Sequence, residues 1–270
     1  MSEGGGLPGG AGALDTRVAH NARVWNYWIG GRDNYGVDQR VGEHVVTMFP
    51  VIREVARADR DFLGRAVRFL AAERGVRQFL DIGTGLPTLD NTHEIAQRIA
   101  PESRIVYVDN DPVVLMHART LLTSAPEGVT DYLDADVRDP DVILERAAAT
   151  LDFTRPVAVM MLGILNFVLD SERAREVVRR IMAAVPSGSY LALTHPTFDA
   201  DLGGTGNIPA MTYWNEHATP PITARGRAEI AALLDGLELL EPGLVPCSQW
   251  RAGPDSPDAV PQFGAVAVKP

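Results

Sequence analysis

Two glycines and an aspartate follow a short apolar run, in a pattern suited to holding a ligand against bare backbone. The run "QFLDI" contains Asp81, and Gly83 and Gly85 come directly after it. Glycine adopts backbone angles closed to other residues and lets a ligand approach the main chain. Thr88 stands where the dinucleotide fingerprint G-x-G-x-x-G has its third glycine, so a diphosphate on a helix N-terminus is poorly supported. A tight turn after a buried strand is the alternative interpretation.

Carboxylates after the next two apolar runs extend this pattern to a nucleoside. Asp109 ends "VYVD" at 24 residues beyond Gly85, close to the spacing at which an acidic residue meets a ribose. One carboxylate can accept hydrogen bonds from both ribose hydroxyls, and Asp111, before a proline, is the better start for the following helix. In "YLDADVRDP", Asp136 could accept from an adenine amino group while the N–H of Val137 donates to the ring. The alternative for Asp109 is a role as a helix cap, and the alternative for Asp136 is that it is a solvated charge in a loop.

The elements that must position these residues alternate between strand and helix after Gly75. Such alternation predicts a parallel sheet with right-handed crossovers, and ligands bind beyond the carboxyl ends of its strands. We predict a glycine-rich disordered tail over residues 1–14, a helical N-terminal extension or lid over 15–75, and the catalytic-type domain over 76–270. Near the end of the extension a helix that stops at Gly75 is predicted by an apolar stripe at helical spacing, namely Ile52, Val55, Ala56, Leu63, Ala66, Val67 and Leu70. Predicted strands are "RQFLDI", "RIVYVD", "VTDYLDA", "PVAVMML" and "SYLALTH", with helices near 92–100, 111–122, 140–149, 171–184 and 223–235.

Composition narrows the class of protein. The net charge of -10 argues against broad contact with nucleic-acid phosphates, which needs clustered Lys and Arg. No run approaches the roughly 18 apolar residues of a membrane span, and the N-terminus has no signal-peptide pattern. A single cysteine, Cys247, excludes an intrachain disulfide, so a cytoplasmic location is predicted. "HEIAQ" lacks the second histidine of H-E-x-x-H, and no metal site is predicted.

The motifs together resemble those of class I S-adenosylmethionine (SAM)-dependent methyltransferases. "LDIGTG" resembles the glycine motif of that family, "VYVDND" its ribose motif and "DADVRDP" its adenine motif. The chain is similar above all to an actinobacterial-type branch, through "ARVWNYWIGGRDNY" (Ala22–Tyr35), "GLPT" with "NTHE", and "YVDNDPVVL". This resemblance extends from about residue 16 to residue 270.

The resemblance implies a Rossmann-like α/β fold whose mostly parallel, seven-stranded sheet ends in an antiparallel strand, "FGAVAVKP". It implies SAM as the cofactor, with glycines beside the methionine portion, one carboxylate on the ribose and another on the adenine. The cofactor-binding residues that it implies are Asp81, Gly83, Thr84, Gly85, Asp109, Asn110, Asp136, Val137, Leu162 and Gly163.

Aromatic and polar residues of the N-terminal segment are candidates for a lid or a wall of the acceptor site. Aromatic faces could contact a sulfonium and a flat acceptor, although packing against the domain is an equal alternative. The candidates for lid or substrate contact are Tyr27, Trp28, Arg32, Tyr35, Asn166 and Tyr213. His195, the last residue of the fifth predicted strand, is a weak candidate for a base, with a structural hydrogen-bonding role favoured. Asn166 occupies a position where the branch commonly has histidine, and an amide takes up no proton at neutral pH.

The sequence therefore predicts a SAM-dependent methyltransferase that acts on O or N of a small molecule. Methyl transfer depends chiefly on alignment of the two reactants, so the lack of an obvious catalytic dyad does not count against it. A SAM-binding sensor without transfer activity is the first alternative. An NAD-dependent oxidoreductase is the second, disfavoured by the missing third glycine.

Overall fold

An eight-stranded sheet forms the centre of the computed structural model, which describes residues 17–88, 90–121, 124–253 and 257–270. The tail predicted over residues 1–14 lies outside these ranges. The strands are β1 (Ala19–His20), β2 (Gln78–Ile82), β3 (Arg104–Asp109), β4 (Val129–Asp134), β5 (Ala158–Leu162), β6 (Tyr190–Pro196), β7 (Ala218–Thr219), β8 (Glu238–Leu239), β9 (Val245–Pro246) and β10 (Gln262–Val268). The α-helices are α1 (Asn21–Trp28), α2 (Gly36–Met48), α3 (Ile52–Arg68), α4 (Thr92–Ile99), α5 (Pro112–Leu121), α6 (Pro140–Ala147), α7 (Ser171–Ala184), α8 (Asn207–His217) and α9 (Arg227–Ala232).

The sheet has the order β4-β3-β2-β5-β6-β10-β8. Strands β2 to β6 run parallel to their neighbours, and β10 runs antiparallel to β6, which confirms the predicted fold class. The prediction of seven strands needs one refinement, because β8 and β9 both pair with β10 and divide the last position between them. Pro246 lies in β9, where a residue without an N–H is tolerated because the strand is at the edge of the sheet.

The strand order reverses at β2, which pairs with β3 on one side and with β5 on the other. Consecutive crossovers therefore leave on opposite sides of this point, and a crevice opens beyond the carboxyl ends of the strands. The glycine motif begins at the end of β2, and the two carboxylate motifs follow β3 and β4. The topology thus brings the three predicted motifs to one edge of the sheet.

Helix α3 covers one face of the sheet with the apolar stripe that its sequence predicts. Every residue of the predicted stripe is buried, namely Ile52, Val55, Ala56, Leu63, Ala66, Val67 and Leu70. The helix continues as a π-helical turn over Phe69–Glu73, and Gly75, with φ +67°, ends the segment in the left-handed region. The same hydrophobic cluster contains Phe79 of β2, so the N-terminal extension shares a core with the sheet.

A second layer lies over the carboxyl ends of the strands, and we call residues 19–49 together with 200–222 the cap. Helix α2 packs between α1 and α8, and the indole rings of Trp28 and Trp214 are 6.0 Å apart. Strands β1 and β7 pair in parallel through Ala19 with Ala218 and His20 with Thr219. This β1–β7 ribbon joins two parts of the cap that are far apart in the sequence.

A buried ion pair fixes the turn between α1 and α2. The Nε atom of Arg23 donates to both carboxylate oxygens of Asp38, at 3.1 and 2.9 Å, and both side chains are almost fully buried. The backbone N–H groups of His20 and Tyr35 donate to the same carboxylate at 3.0 and 2.8 Å. Asn26 accepts at Oδ1 from the backbone N–H of Asp33, at 3.0 Å. Much of the segment "ARVWNYWIGGRDNY" therefore stabilises its own turn.

Among the helices of the described residues, none is both long and apolar enough to cross a bilayer. The described residues also contain no group of three or more His, Cys, Asp or Glu side chains placed to hold a metal ion.

Candidate cofactor and acceptor site

Two adjoining clefts lie at the carboxyl edge of the sheet, under the cap. We call the first the nucleoside cleft, because Gly85, Asp109 and Asp136 all line it. The second, the aromatic cleft, contains Trp25, Trp28 and Trp214 and encloses about 1290 Å³ of empty space including its opening. Gly83, Gly85 and Gly163 border both clefts. The two therefore form one continuous site that can hold an elongated ligand across the glycine loop.

The glycine loop after β2 has the backbone geometry that only glycine adopts readily. Gly83 has φ +81° and its N–H donates to the carbonyl of Val108 at 2.8 Å. A Cβ atom at Gly83 would lie 2.6 Å from the side chain of Ile164, so there is no room for one. Gly85 has φ +67° but open space around it. A ligand can consequently lie against the main chain at Gly85, as the sequence motif predicts.

Asp109 joins the loops after β2 and β3. Its Oδ2 accepts the N–H of Gly85 and its Oδ1 accepts the N–H of Asp111, both at 2.9 Å. Burial raises the pKa of Asp109 to about 6, although the two backbone hydrogen bonds lower it in part. Each carboxylate oxygen can accept more than one hydrogen bond, so the side chain keeps capacity for ligand hydroxyls. Asp111 accepts at Oδ1 from the N–H of Val113 at 2.8 Å, and thus caps α5 as predicted.

Asp136 lies in the nucleoside cleft with its carboxylate already paired. Arg138 donates to it from its backbone N–H and Nε, both at 2.8 Å, and Asn110 donates from Nδ2 at 3.0 Å. The hydrogen bond with Arg138 holds the pKa of Asp136 below its usual value. An adenine amino group would have to replace the Arg138 side chain, which is more than half exposed. Val137 lines the same cleft, where its N–H has no partner among the described residues.

Asp81 and Arg60 lie together at the opposite end of the glycine loop. Asp81 is buried and accepts at Oδ2 from Thr92 Oγ1 at 2.6 Å, while burial raises its pKa to about 6. The positive charge of Arg60 opposes that rise. Arg60 donates from Nη2 to the carbonyl of Asp90 and to Asn91 Oδ1, at 3.0 and 3.2 Å. The pair offers charges of both signs, as a zwitterionic amino acid requires.

The remaining predicted cofactor residues also border the site. Thr84 and Leu162 line the aromatic cleft, and Thr84 Oγ1 donates to the Asp81 carbonyl at 3.2 Å. Asn110 lines the nucleoside cleft, and Gly163, with φ +57°, borders both. All ten predicted positions therefore line at least one of the two clefts.

The predicted lid and substrate residues divide into two groups. Trp28 and Asn166 line the aromatic cleft. Tyr27 instead donates its hydroxyl to Glu43 Oε2 at 2.8 Å, on the side of the cap next to α2 and α3.

The other three candidates lie outside both clefts. Arg32 and Tyr35 are exposed, and the Arg23 guanidinium lies over the Tyr35 ring at 5.4 Å. The Tyr213 ring stacks between His44 and His217. Aromatic content in the sequence identifies the segment but not which face of each helix meets the cleft. In this arrangement Trp25, Met211 and Trp214 line the cleft instead.

His195 is buried and both of its ring nitrogens are hydrogen-bonded. Arg225, which can only donate, lies with Nη1 at 2.7 Å from Nε2, so Nδ1 must carry the proton given to the Pro196 carbonyl at 2.8 Å. Burial, with the charge of Arg225, lowers the pKa of His195 to about 3. The side chain lines neither cleft. Its geometry fits the structural role that the sequence favours.

The sequence did not predict that two residues of α3 line the aromatic cleft. Asp59 and Arg60 line the aromatic cleft, although both belong to an ordinary amphipathic helix in the sequence. Asp59 accepts at Oδ1 from Thr194 Oγ1 and Gln262 Nε2, both at 2.5 Å. These partners are 135 and 203 residues away, so no local pattern could indicate them. The only available signal is a carboxylate within the predicted apolar stripe.

Comparison with known proteins shows the family to which this chain belongs. The sequence family described as S-adenosyl methyltransferase matches residues 9–270. The chain belongs to this S-adenosyl methyltransferase family. The cofactor of the family is SAM, and the predicted fold and cofactor are thereby confirmed. The same family match counts against an NAD-dependent oxidoreductase.

Two crystal structures resemble this S-adenosyl methyltransferase over nearly the whole chain. A DUF574 family protein from Streptomyces avermitilis is 44% identical, with a TM-score of 0.90, and the match covers 95% of this chain and 99% of that one. A methyltransferase-like protein from Thermobifida fusca is 36% identical, with a TM-score of 0.84, over 94% of this chain and 96% of that one. A search among curated proteins gave no match.

Proposed function

We propose that this family member transfers a methyl group from SAM to oxygen or nitrogen of a small molecule. The observation that carries the proposal is the convergence of Gly85, Asp109 and Asp136 on the nucleoside cleft, which is continuous with a larger apolar cleft. One cleft has the size and polarity for adenosine, and the other adjoins it at the glycine loop. When bound, SAM supplies a methyl group made electrophilic by its positively charged sulfur.

The chain's own residues fit each part of the cofactor. Asp109 would hold the ribose hydroxyls and the N–H of Val137 a ring nitrogen of the adenine. Asp81 would hold the ammonium group, and Arg60 the carboxylate, at the end of the loop where both charges lie. Gly83 and Gly85 would let the methionine portion lie on the main chain. The same residues suit neither a free 2'-phosphate nor a diphosphate, because the nucleoside cleft presents carboxylates to them.

The cap would exclude water and align the acceptor. Trp25, Trp28 and Trp214 form one wall, and Trp25 meets Trp28 edge to face with ring centroids 5.9 Å apart. Interlocked rings of this kind have few alternative positions, so the wall is preorganised. Alignment of two bound reactants can supply up to about 7–11 kcal/mol of the barrier to transfer. A cavity wider than the cofactor alone favours an enzyme over a SAM sensor.

Calorimetry with SAM, S-adenosylhomocysteine (SAH) and NAD tests the cofactor half of the proposal. We expect SAM and SAH to bind at micromolar concentration and NAD to give no heat of binding. Incubation with labelled SAM and a metabolite extract from the host then tests transfer. A labelled small molecule is the expected result, whereas binding without any labelled product across a broad extract would favour the sensor.

Cofactor affinity should depend on pH through Asp109. The ionised carboxylate accepts ribose hydroxyls better than the protonated form, so binding favours ionisation. The pKa of Asp109 is raised to about 6 in the free protein, and affinity should therefore fall as the pH drops below 6, by at most about tenfold per unit. Titrations of SAH between pH 5 and 8 would measure this dependence. Burial also raises the pKa values of Asp81 and Asp59 to about 6, so Asp109→Asn should flatten the profile in part. An unchanged profile would show that Asp109 does not cause the pH dependence.

A further inference from the structure

Asp59 presents a buried carboxylate to the aromatic cleft. Only 8% of the residue is exposed, and both hydrogen bonds that hold it, from Thr194 and Gln262, use Oδ1. Among the described residues Oδ2 has no hydrogen-bond partner. Gln262 Nε2 can only donate to Oδ1, and when the Thr194 hydroxyl donates to the same atom, a proton on the carboxyl group lies on Oδ2. The atom available to a ligand is thus the one that can gain or lose a proton.

Asn166 supplies a second unsatisfied group in the same cleft. It is 7% exposed, and its Oδ1 has no hydrogen-bond partner among the described residues. A buried amide oxygen without a partner costs about 1–3 kcal/mol, so a ligand that donates a hydrogen bond to Asn166 Oδ1 would stabilise the site. The surrounding wall is otherwise largely apolar, with three tryptophans and Phe49. The aromatic cleft is therefore suited to a ligand with an apolar body and a hydrogen-bond donor.

The charges of the cleft indicate that this donor is a cation. Asp59, Asp81 and Arg60 are the charged side chains that line it among the described residues. If Asp81 and Arg60 hold the ammonium and carboxylate of the cofactor, their charges are balanced, and Asp59 is left over. Burial raises the pKa of Asp59 to about 6, and the charge of the adjacent Arg60 opposes this rise. The thiol of Cys247 also lies beside Asp59, and burial raises its pKa well above the usual value, so it carries no charge.

We propose that the methyl acceptor is an amine with an aromatic or bulky apolar body, held by Asp59 through its nitrogen. The proposal rests on the proposed function, since it names the acceptor of the same site. Asp59 Oδ2 holds the ammonium form and takes one proton from its nitrogen, which frees the nitrogen lone pair. That lone pair would form the bond to the methyl carbon as the methyl–sulfur bond breaks. The electrons of the broken bond would stay on sulfur as uncharged SAH, and the methylated amine would leave as an ammonium ion. Asn166 Oδ1 accepts a second N–H. The tryptophan wall packs against the apolar body of the amine.

Binding of three matched probes to the SAH complex tests this assignment. The probes are 2-phenylethylamine, 2-phenylethanol and 3-phenylpropanoate, which differ in the charge of one end. SAH suits the test because its sulfur is uncharged and leaves Asp59 without a counterion. Calorimetry and the fluorescence of the cleft tryptophans would report binding. We expect the amine to bind about tenfold more tightly than the alcohol, and the carboxylate to bind least, because a charge-assisted hydrogen bond exceeds a neutral one.

Variants distinguish the contribution of Asp59 to amine binding from that of the rest of the cleft. Asp59→Asn keeps the shape and the Oδ1 acceptor, and it should abolish the preference for the amine over the alcohol. Asp61→Asn, at an exposed aspartate of the same helix, should retain the preference. Asn166→Ala should weaken amine and alcohol alike, and it provides a second route should Asp59→Asn prove unstable.

The outcomes are distinct from a failure of the proposed function. If SAH does not bind, the proposed function fails. If SAH binds but the amine shows no preference, if Asp59→Asn keeps the preference, or if no probe binds at millimolar concentration, the acceptor assignment fails alone. A fall in the affinity for SAM relative to SAH in Asp59→Asn, with no amine preference in the parent protein, would show that Asp59 pairs with the sulfonium and would also overturn the assignment.

Discussion

Asp109→Ala is expected to lower the affinity for SAM and SAH by a factor of about a hundred or more. The variant would lack the carboxylate and its two charge-assisted hydrogen bonds to the ribose, each worth about 1.5–3 kcal/mol. It would also lose the links to Gly85 and Asp111 that hold the loops after β2 and β3 together. Calorimetric titration of SAH into the folded variant, checked by circular dichroism, measures the effect.

A matched control distinguishes the ribose contact from a general change in charge. Asp134 ends β4 at the same edge of the sheet, but its side chain is exposed. Asp134→Ala should leave the affinity within about twofold, since an exposed carboxylate away from the ligand contributes little. Equal affinity of Asp109→Ala and the parent protein would refute the ribose assignment.

Asp38→Ala is expected to destabilise the protein by about 3–5 kcal/mol, because it leaves the Arg23 guanidinium buried without its partner. The backbone N–H groups of His20 and Tyr35 would lose their acceptor as well. A chain of this length loses about 2–4 °C of melting temperature per kcal/mol, so the midpoint should fall by roughly 10 °C. Thermal unfolding followed by circular dichroism gives the measurement.

Two comparisons make this second result specific to the buried pair. Asp33→Ala changes an exposed aspartate of the same turn and should shift the melting temperature little. The double variant Arg23→Leu with Asp38→Ala should recover part of the loss, because no charge is then left buried. A single variant as stable as the parent protein would mean that the pair contributes nothing to the stability of the cap.

Local pattern predicts most of the sheet and the cofactor half of the site. Parallel strands bring their carboxyl ends to one edge, so a glycine or aspartate at the end of a predicted strand is already placed beside its neighbours. That is why Gly85, Asp109 and Asp136 border one cleft although they come from three separate motifs. The split of the last sheet position into β8 and β9 was not predictable, since strands of two residues have no periodicity.

The proposed acceptor half of the site depends on contacts between distant parts of the chain. Hydrogen bonds from Thr194 and Gln262 hold Asp59 in position. The sequence of α3 around Asp59 gives no sign of these two partners. Arg32 and Tyr35 resemble ligand contacts in the sequence because they flank a glycine turn. In the folded chain they lie on the outer surface of the cap. Side-chain direction in such a turn is decided by packing, which composition does not encode.

The β1–β7 ribbon has a consequence for how quickly the protein exchanges its nucleoside. His20 from one strand and Pro220, just after the other, both wall the nucleoside cleft. The ribbon consists of two residue pairs, so parting it breaks few backbone hydrogen bonds. We therefore expect release of the spent nucleoside to require loosening of the cap, because His20 and Pro220 would have to move apart.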